Sequence, residues 1–200
     1  TIKRKDPTSP ALYYASYQQP HPPLIPLDIY YNMYLNEELE ESIVGYWNND
    51  DYYPLKELKD IKEKYSKKEI DMAKKAFYAL CTHVDHQIRL LIGTLKEEDL
   101  LDNTIILFTS DHGDMLFDHN MVAKRVFYEN SCNVPLIISG KPLEKYRGVV
   151  DDRLVSLDDI MPTLLDLCNI EIPNTVEGIS VFSNKKKEYI YGEIGEDDLA

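Results

Sequence analysis

The sequence predicts an α/β protein built on a mainly parallel sheet flanked by helices. Three observations predict it. Short apolar runs alternate with helical patterns along the chain. Those runs are continuous rather than alternating, as in strands buried on both faces. One long segment also repeats its apolar residues at steps of three and four, which defines a core-packing helix.

The first strand candidate is ALYYASY (Ala11–Tyr17), short, aromatic and apolar. It runs into QQPHPPLIP, whose prolines forbid regular structure and hold an extended loop around His21. Residues Asp28 to Asp60 are rich in Tyr, Asn and Glu without a period, and read as an irregular excursion holding one short helix. The long helix opens on a capping box, with Ser66 as N-cap and Glu69 reaching back to its amide. Ile70, Ala73, Phe77, Leu80, Val84, Ile88, Leu91 and Leu95 then form its apolar stripe, and Gly93 lies near its expected end. A strand at 104–109 follows, then a loop, then the apolar run VPLIIS (Val134–Ser139). A second helix is expected over Leu157 to Leu167, with Ser156 and Asp159 as caps and Pro162 tightening its opening toward a 3₁₀ turn. NKKKE (Asn184–Glu188) reads as a solvated turn and YIYGE as a last strand.

Bulk composition narrows the functions. With 44% hydrophobic and 28% charged residues the chain is globular rather than disordered. A formal net charge of −13 argues against nucleic-acid binding through a broad basic face. An anionic small substrate then needs a local cluster of cation, Lys or His to offset that field. No apolar run approaches the length of a membrane span. Cys81, Cys132 and Cys168 are too few and too scattered for a disulfide framework or a zinc knuckle. The chain opens at Thr1 without a signal-peptide pattern. The true N-terminus is expected to be absent, so cytoplasmic and exported locations both fit.

Chemistry concentrates where the strand TIILFT meets SDHGD. Asp111 supplies a hard oxygen, His112 an imidazole nitrogen, and Gly113 permits a sharp turn away. In open α/β sheets ligands bind beyond the carboxyl ends of strands, which is where these two fall. By pattern alone such a pair is more often a turn than a set of ligands. Lys124, beside Arg125, reads as an ordinary surface charge, and His21 as part of a rigid proline loop. His83 and His86 have His-x-x-His spacing, yet no further ligands are evident and they read as polar residues flanking the buried stripe. His119 is either a group supporting the site or a plain loop residue.

Taken together, FTSDHGDMLFDHNMVAKRVFYENSCNVPLIISG (Phe108–Gly140) resembles the sulfatase family of the alkaline-phosphatase superfamily. Members carry a strand, then Ser-Asp-His/Asn-Gly, a Gly-Asp/Glu-His-Gly loop, a Lys, an aromatic-Glu pair and a Val-Pro-Leu strand. YASYQQPHPP resembles the family's strand and His-Pro-Pro loop. AFYALCTHVDHQIRLLIGTLKEEDLLDNTIILFTSD resembles its long helix and metal-binding strand, and RLVSLDDIMPTLLDLCNIEIPNTVEGIS its Asp-x-x-Pro-Thr-Leu helix and following turn. The resemblance covers nearly the whole chain in order.

It implies an alkaline-phosphatase-like fold, with residues 1–200 forming part of a catalytic domain. That part would lack the N-terminal nucleophile half and the end of the C-terminal subdomain. It implies that Asp111 and His112 are metal ligands, usually for Ca²⁺, with Mg²⁺ or Mn²⁺ as alternatives. Lys124 would contact the sulfate and help neutralise or protonate the leaving oxygen, and His21 would hydrogen-bond the ester near that oxygen. The implied substrate is a small-molecule or sugar sulfate ester. The nucleophile, a formylglycine made within Cys/Ser-x-Pro-x-Arg, has no match here and is expected in the missing half.

The chain also departs from the family pattern. Phe117 and Asn120 stand where the family has Gly, which should reshape the loop before Lys124. SGKPLEKY replaces a Gly-Pro-Gly turn, and His112 is a less usual Ca²⁺ partner than Asn. Two other functions fit the same residues: a phosphoester or phosphonate-ester hydrolase of the superfamily, and a non-catalytic, truncated binding domain.

Overall fold

Helix α1 (Asp28–Tyr31), α2 (Lys67–Glu97), strand β1 (Ile106–Thr109), α3 (Glu129–Cys132), β2 (Leu136–Ser139) and α4 (Ile160–Leu167) follow in that order. They are joined by 3₁₀ turns and irregular segments. The computed structural model describes residues 9–45 and 64–193, together with Ile2 and Asp6. Half of the excursion expected at Asp28–Asp60, residues 46–60, therefore lies outside the described residues; the described half does hold one short helix.

Helix α2 starts where its sequence says it should. The Ser66 side chain accepts from the Glu69 amide at 3.3 Å, and the Glu69 carboxylate accepts from the Ser66 amide at 2.8 Å. The helix does not stop at Gly93 but runs four residues on, to Glu97. It ends in a left-handed turn at Asp99 (φ 54°). There the Asp99 amide donates to the Lys96 carbonyl at 3.2 Å and the Leu100 amide to the Leu95 carbonyl at 2.8 Å. This paired closure satisfies carbonyls that would otherwise be orphaned, and it needs no glycine.

Every residue of the expected stripe is at least half-buried, with Leu80 and Leu95 buried outright. The covered face is wider than the stripe, because Lys74, Ala76 and Ala79 are buried as well. The reason is a strap of irregular chain, residues 34–45, laid along one flank. The Tyr34 hydroxyl meets Thr82 Oγ1 at 2.6 Å, and Lys75 donates to the Leu35 carbonyl at 2.9 Å. Lys74 donates to the Glu40 carbonyl at 3.0 Å, and Lys67 pairs with Glu41 at 2.8 Å. Lys74 is only 7% exposed, so its carbonyl partner offsets part of the cost of burying an ammonium.

The one sheet among the described residues is the pair β1–β2, and it is antiparallel, Ile106 opposite Ser139 and Thr109 opposite Leu136. This differs from the mainly parallel arrangement that the sequence suggests. Unbroken apolar runs do not encode strand direction, and here one face stays partly open, with Phe108 37% and Ile137 56% exposed. The connection from β1 to β2 carries only a 3₁₀ turn and the single-turn α3, without the long crossover helix a parallel pair needs. Neither Ala11–Tyr17 nor YIYGE forms a strand. Both have irregular backbone with no ladder partner among the described residues, and Tyr14 and Tyr191 are 91% and 79% exposed.

The chain divides into two compact units, Thr1–Lys124 with Tyr128–Glu144, and Arg125–Phe127 with Lys145–Ala200. In the second, Leu157–Asp159 forms the expected 3₁₀ turn and leads directly into α4, with Pro162 in the first turn of that helix. Asp159 is 2% exposed. Its carboxylate accepts from the Ser156 amide at 3.0 Å and the Ile179 amide at 2.6 Å. Lys187 lies 2.9 Å away and also pairs with Asp158 at 2.9 Å. The expected solvated turn NKKKE is thus not wholly solvated, because a buried carboxylate recruits a counter-charge from it. Gly178 fits closely under this cluster; a Cβ there would lie 2.0 Å from the Asp158 carbonyl oxygen.

Candidate active site

The first unit brings the four candidate residues to one surface. Ser110 follows the last residue of β1, and its hydroxyl donates to the His112 carbonyl at 2.8 Å, turning the chain back on itself. The Asp111 carboxylate accepts from the His112 amide at 2.9 Å and stays 83% exposed. Its small burial pushes its carboxyl pKa up, but the His112 amide, the His112 ring and Ser110 outweigh that and hold it below the usual value. Asp111 is therefore an anion with its outer oxygen facing solvent.

His112 is oriented by its neighbour. Its Nδ1 lies 2.7 Å from the Gly113 carbonyl, a contact that requires the proton on Nδ1. In the neutral ring the Nε2 lone pair is the one left over, and Nε2 sits 3.7 Å from Asp111 Oδ2. A carboxylate oxygen and a bare imidazole nitrogen at that spacing fit the coordination of one divalent cation. Among the described residues no group of three His, Cys, Asp or Glu side chains converges there.

Gly113 does a different job from the one its sequence position suggests. Its φ is not left-handed. Instead its amide donates to the Ser131 carbonyl at 2.8 Å, and a Cβ would lie 1.9 Å from the Asn130 carbonyl oxygen. The missing side chain lets the segment leading into β2 lie directly against the Asp111–His112 turn.

His21 arrives from the proline loop, far away in sequence. Its Nδ1 lies 2.8 Å from the Pro22 carbonyl, which again fixes the proton on Nδ1 and leaves Nε2 as an acceptor. The Lys124 ammonium donates to that Nε2 at 3.1 Å. The His21 and His112 rings stand edge to face with centroids 6.4 Å apart. The carboxylate–imidazole pair and the lysine–imidazole pair are thus side by side.

The loop that carries Lys124 is bent by an unusual run of left-handed residues: Leu116, Phe117, His119, Asn120 and Ala123 all have positive φ. Positions 117 and 120, where the family pattern has Gly, are left-handed in this chain without glycine. Phe117 has φ 72° and Asn120 φ 56°. Each non-glycine residue held there costs on the order of 1 kcal/mol. Burial offsets it. Met115 and Met121 are 1% and 0% exposed, and Phe117 is 9% exposed with its ring edge-on to Tyr65.

Two further residues belong to this loop's support. Asp118 accepts from the Ile43 amide at 3.0 Å and from Asn130 at 2.7 Å. His119 accepts from the Gly45 amide at 3.1 Å and lies against Tyr128. Of the two readings open for His119, it is a structural group of the loop that carries Lys124. His83 and His86 stand apart from the site. Both contact Tyr30, the first stacked at 4.8 Å and the second with its Nδ1 3.2 Å from the tyrosine hydroxyl. The sequence offered no direct signal for Asp114, whose carboxylate binds two loop amides; its only hint was an acid next to Gly113 in a turn.

Comparison with known proteins identifies the family. The sulfatase family profile matches residues 1–170. The chain belongs to the sulfatase family, and its fold is a part of that family's alkaline-phosphatase-like α/β fold. It is 41% identical over 208 residues to an arylsulfatase of Clostridium perfringens (strain 13 / Type A), covering 98% of this chain and 43% of that protein. It is 36% identical over 131 residues to arylsulfatase K of Canis lupus familiaris, covering 66% of this chain and 24% of that protein. Among solved structures it is similar to the phosphonate monoester hydrolase SpPMH from Silicibacter pomeroyi. That match has a TM-score of 0.64 at 28% identity, over 81% of this chain and 34% of the other. The chain spans less than half the length of each of these proteins. The sulfatase family uses a divalent metal and a formylglycine, and no helix among the described residues is long and apolar enough to cross a membrane.

Proposed function

We propose that this chain is the portion of a sulfatase that supplies one half of the metal site and the cationic end of the substrate site. The parent protein would hydrolyse small-molecule or sugar sulfate esters. The observation that carries the reading is the meeting of Lys124 with His21 at 3.1 Å, beside the Asp111–His112 pair. Residues that have no common role in an isolated loop acquire one when they surround a single anionic group.

Asp111 and His112 Nε2 would hold the cation, with Ca²⁺ proposed for its preference for oxygen ligands; the cation would neutralise charge on the sulfate oxygens. Lys124 would place fixed positive charge at the departing alkoxide and supply it with a proton. His21, with Nδ1 tied to Pro22, would hold Lys124 in position and face the bridging oxygen. In a chain of net charge −13, this local cluster is what would make an anionic ester welcome. The nucleophile is assigned to the portion of the relatives that this chain does not align with, and the substrate class is inferred from the arylsulfatase relatives.

A second reading, phosphonate- or phosphate-ester hydrolysis, is favoured by the similarity to the phosphonate monoester hydrolase. One assay separates them. The full-length protein is offered an aryl sulfate, a panel of sugar sulfates, a phosphonate monoester and a phosphodiester, each also with Lys124→Ala and Asp111→Asn. The sulfatase reading expects sulfate esters to be the best substrates by kcat/KM, and both variants to lose that activity. Preference for the phosphorus esters supports the second reading. Turnover of none of them points to a non-catalytic domain and sinks both.

A further inference from the structure

The loop from Gly113 to Lys124 contains a half-buried carboxylate, Asp114, that is bonded to the loop's own backbone. Asp114 Oδ1 accepts from the Leu116 amide at 2.9 Å and from the Ala123 amide at 3.2 Å. Those amides are seven residues apart and lie at the two mouths of the left-handed excursion. Between them the loop is laced by Met115 donating to the Ala123 carbonyl at 2.7 Å and Phe117 to the Met121 carbonyl at 2.8 Å. Ala123 itself is left-handed, at φ 63°, and Lys124 is the next residue. The direction in which Lys124 leaves the loop is therefore set by the peptide whose N–H Asp114 holds.

Resting on the sulfatase reading above, we propose that Asp114 is a positioning residue for Lys124. Its carboxylate clamps both mouths of the strained loop and so fixes where the ammonium meets His21 and the substrate. The physical logic is direct. A non-glycine residue in the left-handed region relaxes unless its surroundings over-determine it. Two charge-assisted bonds from one anion are stronger than the neutral bonds elsewhere in the loop. Removing the anion frees Ala123 to return to negative φ, and that rotation swings the lysine stem away. A displacement of about 1 Å at a reacting group can cost roughly a hundredfold in rate.

The test is a double-mutant cycle in the full-length protein. Asp114→Ala is expected to lower kcat on an aryl sulfate by about a hundredfold, with much less change in KM. Asp114→Asn keeps an acceptor oxygen and is expected to stay within about tenfold of the parent. The decisive arm adds Asp114→Ala to Lys124→Ala. If Asp114 acts through Lys124, the double variant is no slower than Lys124→Ala alone. A full further loss on that background overturns the proposal while leaving the sulfatase reading intact. Near-normal turnover by Lys124→Ala alone sinks the role of Lys124 and the proposal with it. Amide hydrogen exchange supplies a readout independent of turnover. Exchange at Ala123 should quicken at least tenfold in Asp114→Ala and little in Asp114→Asn; an unchanged rate shows that no clamp exists. Should Asp114→Ala fail to fold, Asp114→Glu takes its place in every arm, since it keeps the charge and moves the oxygens by one methylene.

Discussion

Lys124 donates to Nε2 of His21 across 3.1 Å, joining residues 103 positions apart in the sequence. Nδ1 of the same ring is tied to the Pro22 carbonyl at 2.8 Å, so the imidazole cannot turn away without losing both bonds. The pair is a single cationic unit held by a proline loop on one side and a strained loop on the other.

That coupling makes the two substitutions unequal but not independent. Lys124→Ala in the full-length protein should lower sulfate-ester kcat/KM by about a hundred- to a thousandfold, as loss of a charge at the transition state does. His21→Ala should lower it by about ten- to a hundredfold. The double variant should fall well short of the product of the two losses. Steady-state kinetics on an aryl sulfate checks this, and strict multiplication of the losses would show that the residues act separately.

The metal half is expected to be weak on its own. With only Asp111 and His112 as candidate ligands, this chain should bind Ca²⁺ no more tightly than about 1 mM, the range of poorly furnished sites. Isothermal titration calorimetry measures it, and tight one-to-one binding would mean that the ligand set is larger than the pair. Because the Asp111 pKa is lowered, the midpoint of proton competition for that carboxylate should lie below the usual carboxylate value, about 3.9.

Much of this site was legible in the sequence because its residues sit where chain geometry is local. Asp111 and His112 follow a strand, His21 sits in a proline loop, and Ser66–Glu69 spells a helix start. What was not legible depended on partners distant along the chain. Strand direction follows from the absence of a crossover helix. The buried state of Lys74 follows from a strap with no period of its own. The recruitment of Lys187 follows from a carboxylate nearly thirty residues away. Asp114 escaped notice because its bonds go to backbone amides, which carry no sequence signature.

The strained loop predicts opposite outcomes for two glycine substitutions. Asn120→Gly should be neutral or stabilise by less than about 1 kcal/mol, since asparagine already tolerates the left-handed region. Phe117→Gly relieves a similar strain but deletes a buried ring, and should destabilise by about 2 kcal/mol net. Gly113→Ala, forced against the Asn130 carbonyl, should cost about 3 kcal/mol. Urea melts of the three variants rank them; a stabilised Phe117→Gly would show that the ring contributes little.

The cysteines should react at distinct rates. Burial pushes the Cys81 thiol up to about 11, whereas Cys132 and Cys168 are exposed. At pH 8 an aromatic disulfide reagent should titrate two thiols quickly and the third only on unfolding. Three fast thiols would mean that α2 opens readily around Cys81.

The second unit should lose stability at both ends of the pH scale. Despite some desolvation, Ser156 and Lys187 hold the Asp158 pKa below its usual value. Its contribution is present above the unfolded carboxylate value of about 4 and is lost as pH falls through the folded value. Despite its own desolvation, bonds to Asp159 and Asp158 raise the Lys187 pKa. That contribution is present below the unfolded lysine value of about 10.4 and is lost as pH rises through the folded one. Lys187→Met should remove the alkaline limb and cost about 3 kcal/mol at neutral pH, because it strands Asp159. Melts across pH 3 to 11 test both limbs.

Helix α2 carries its own start at Ser66 and its own stop at Asp99, both written in local residues. A segment so delimited can nucleate without waiting for distant chain. The His21–Lys124 contact is at the other extreme, since it closes a loop of 103 residues and is rewarded only after that entropy is lost. Loop-closure entropy alone therefore ranks the helix as an early element and the His21–Lys124 contact as a late one.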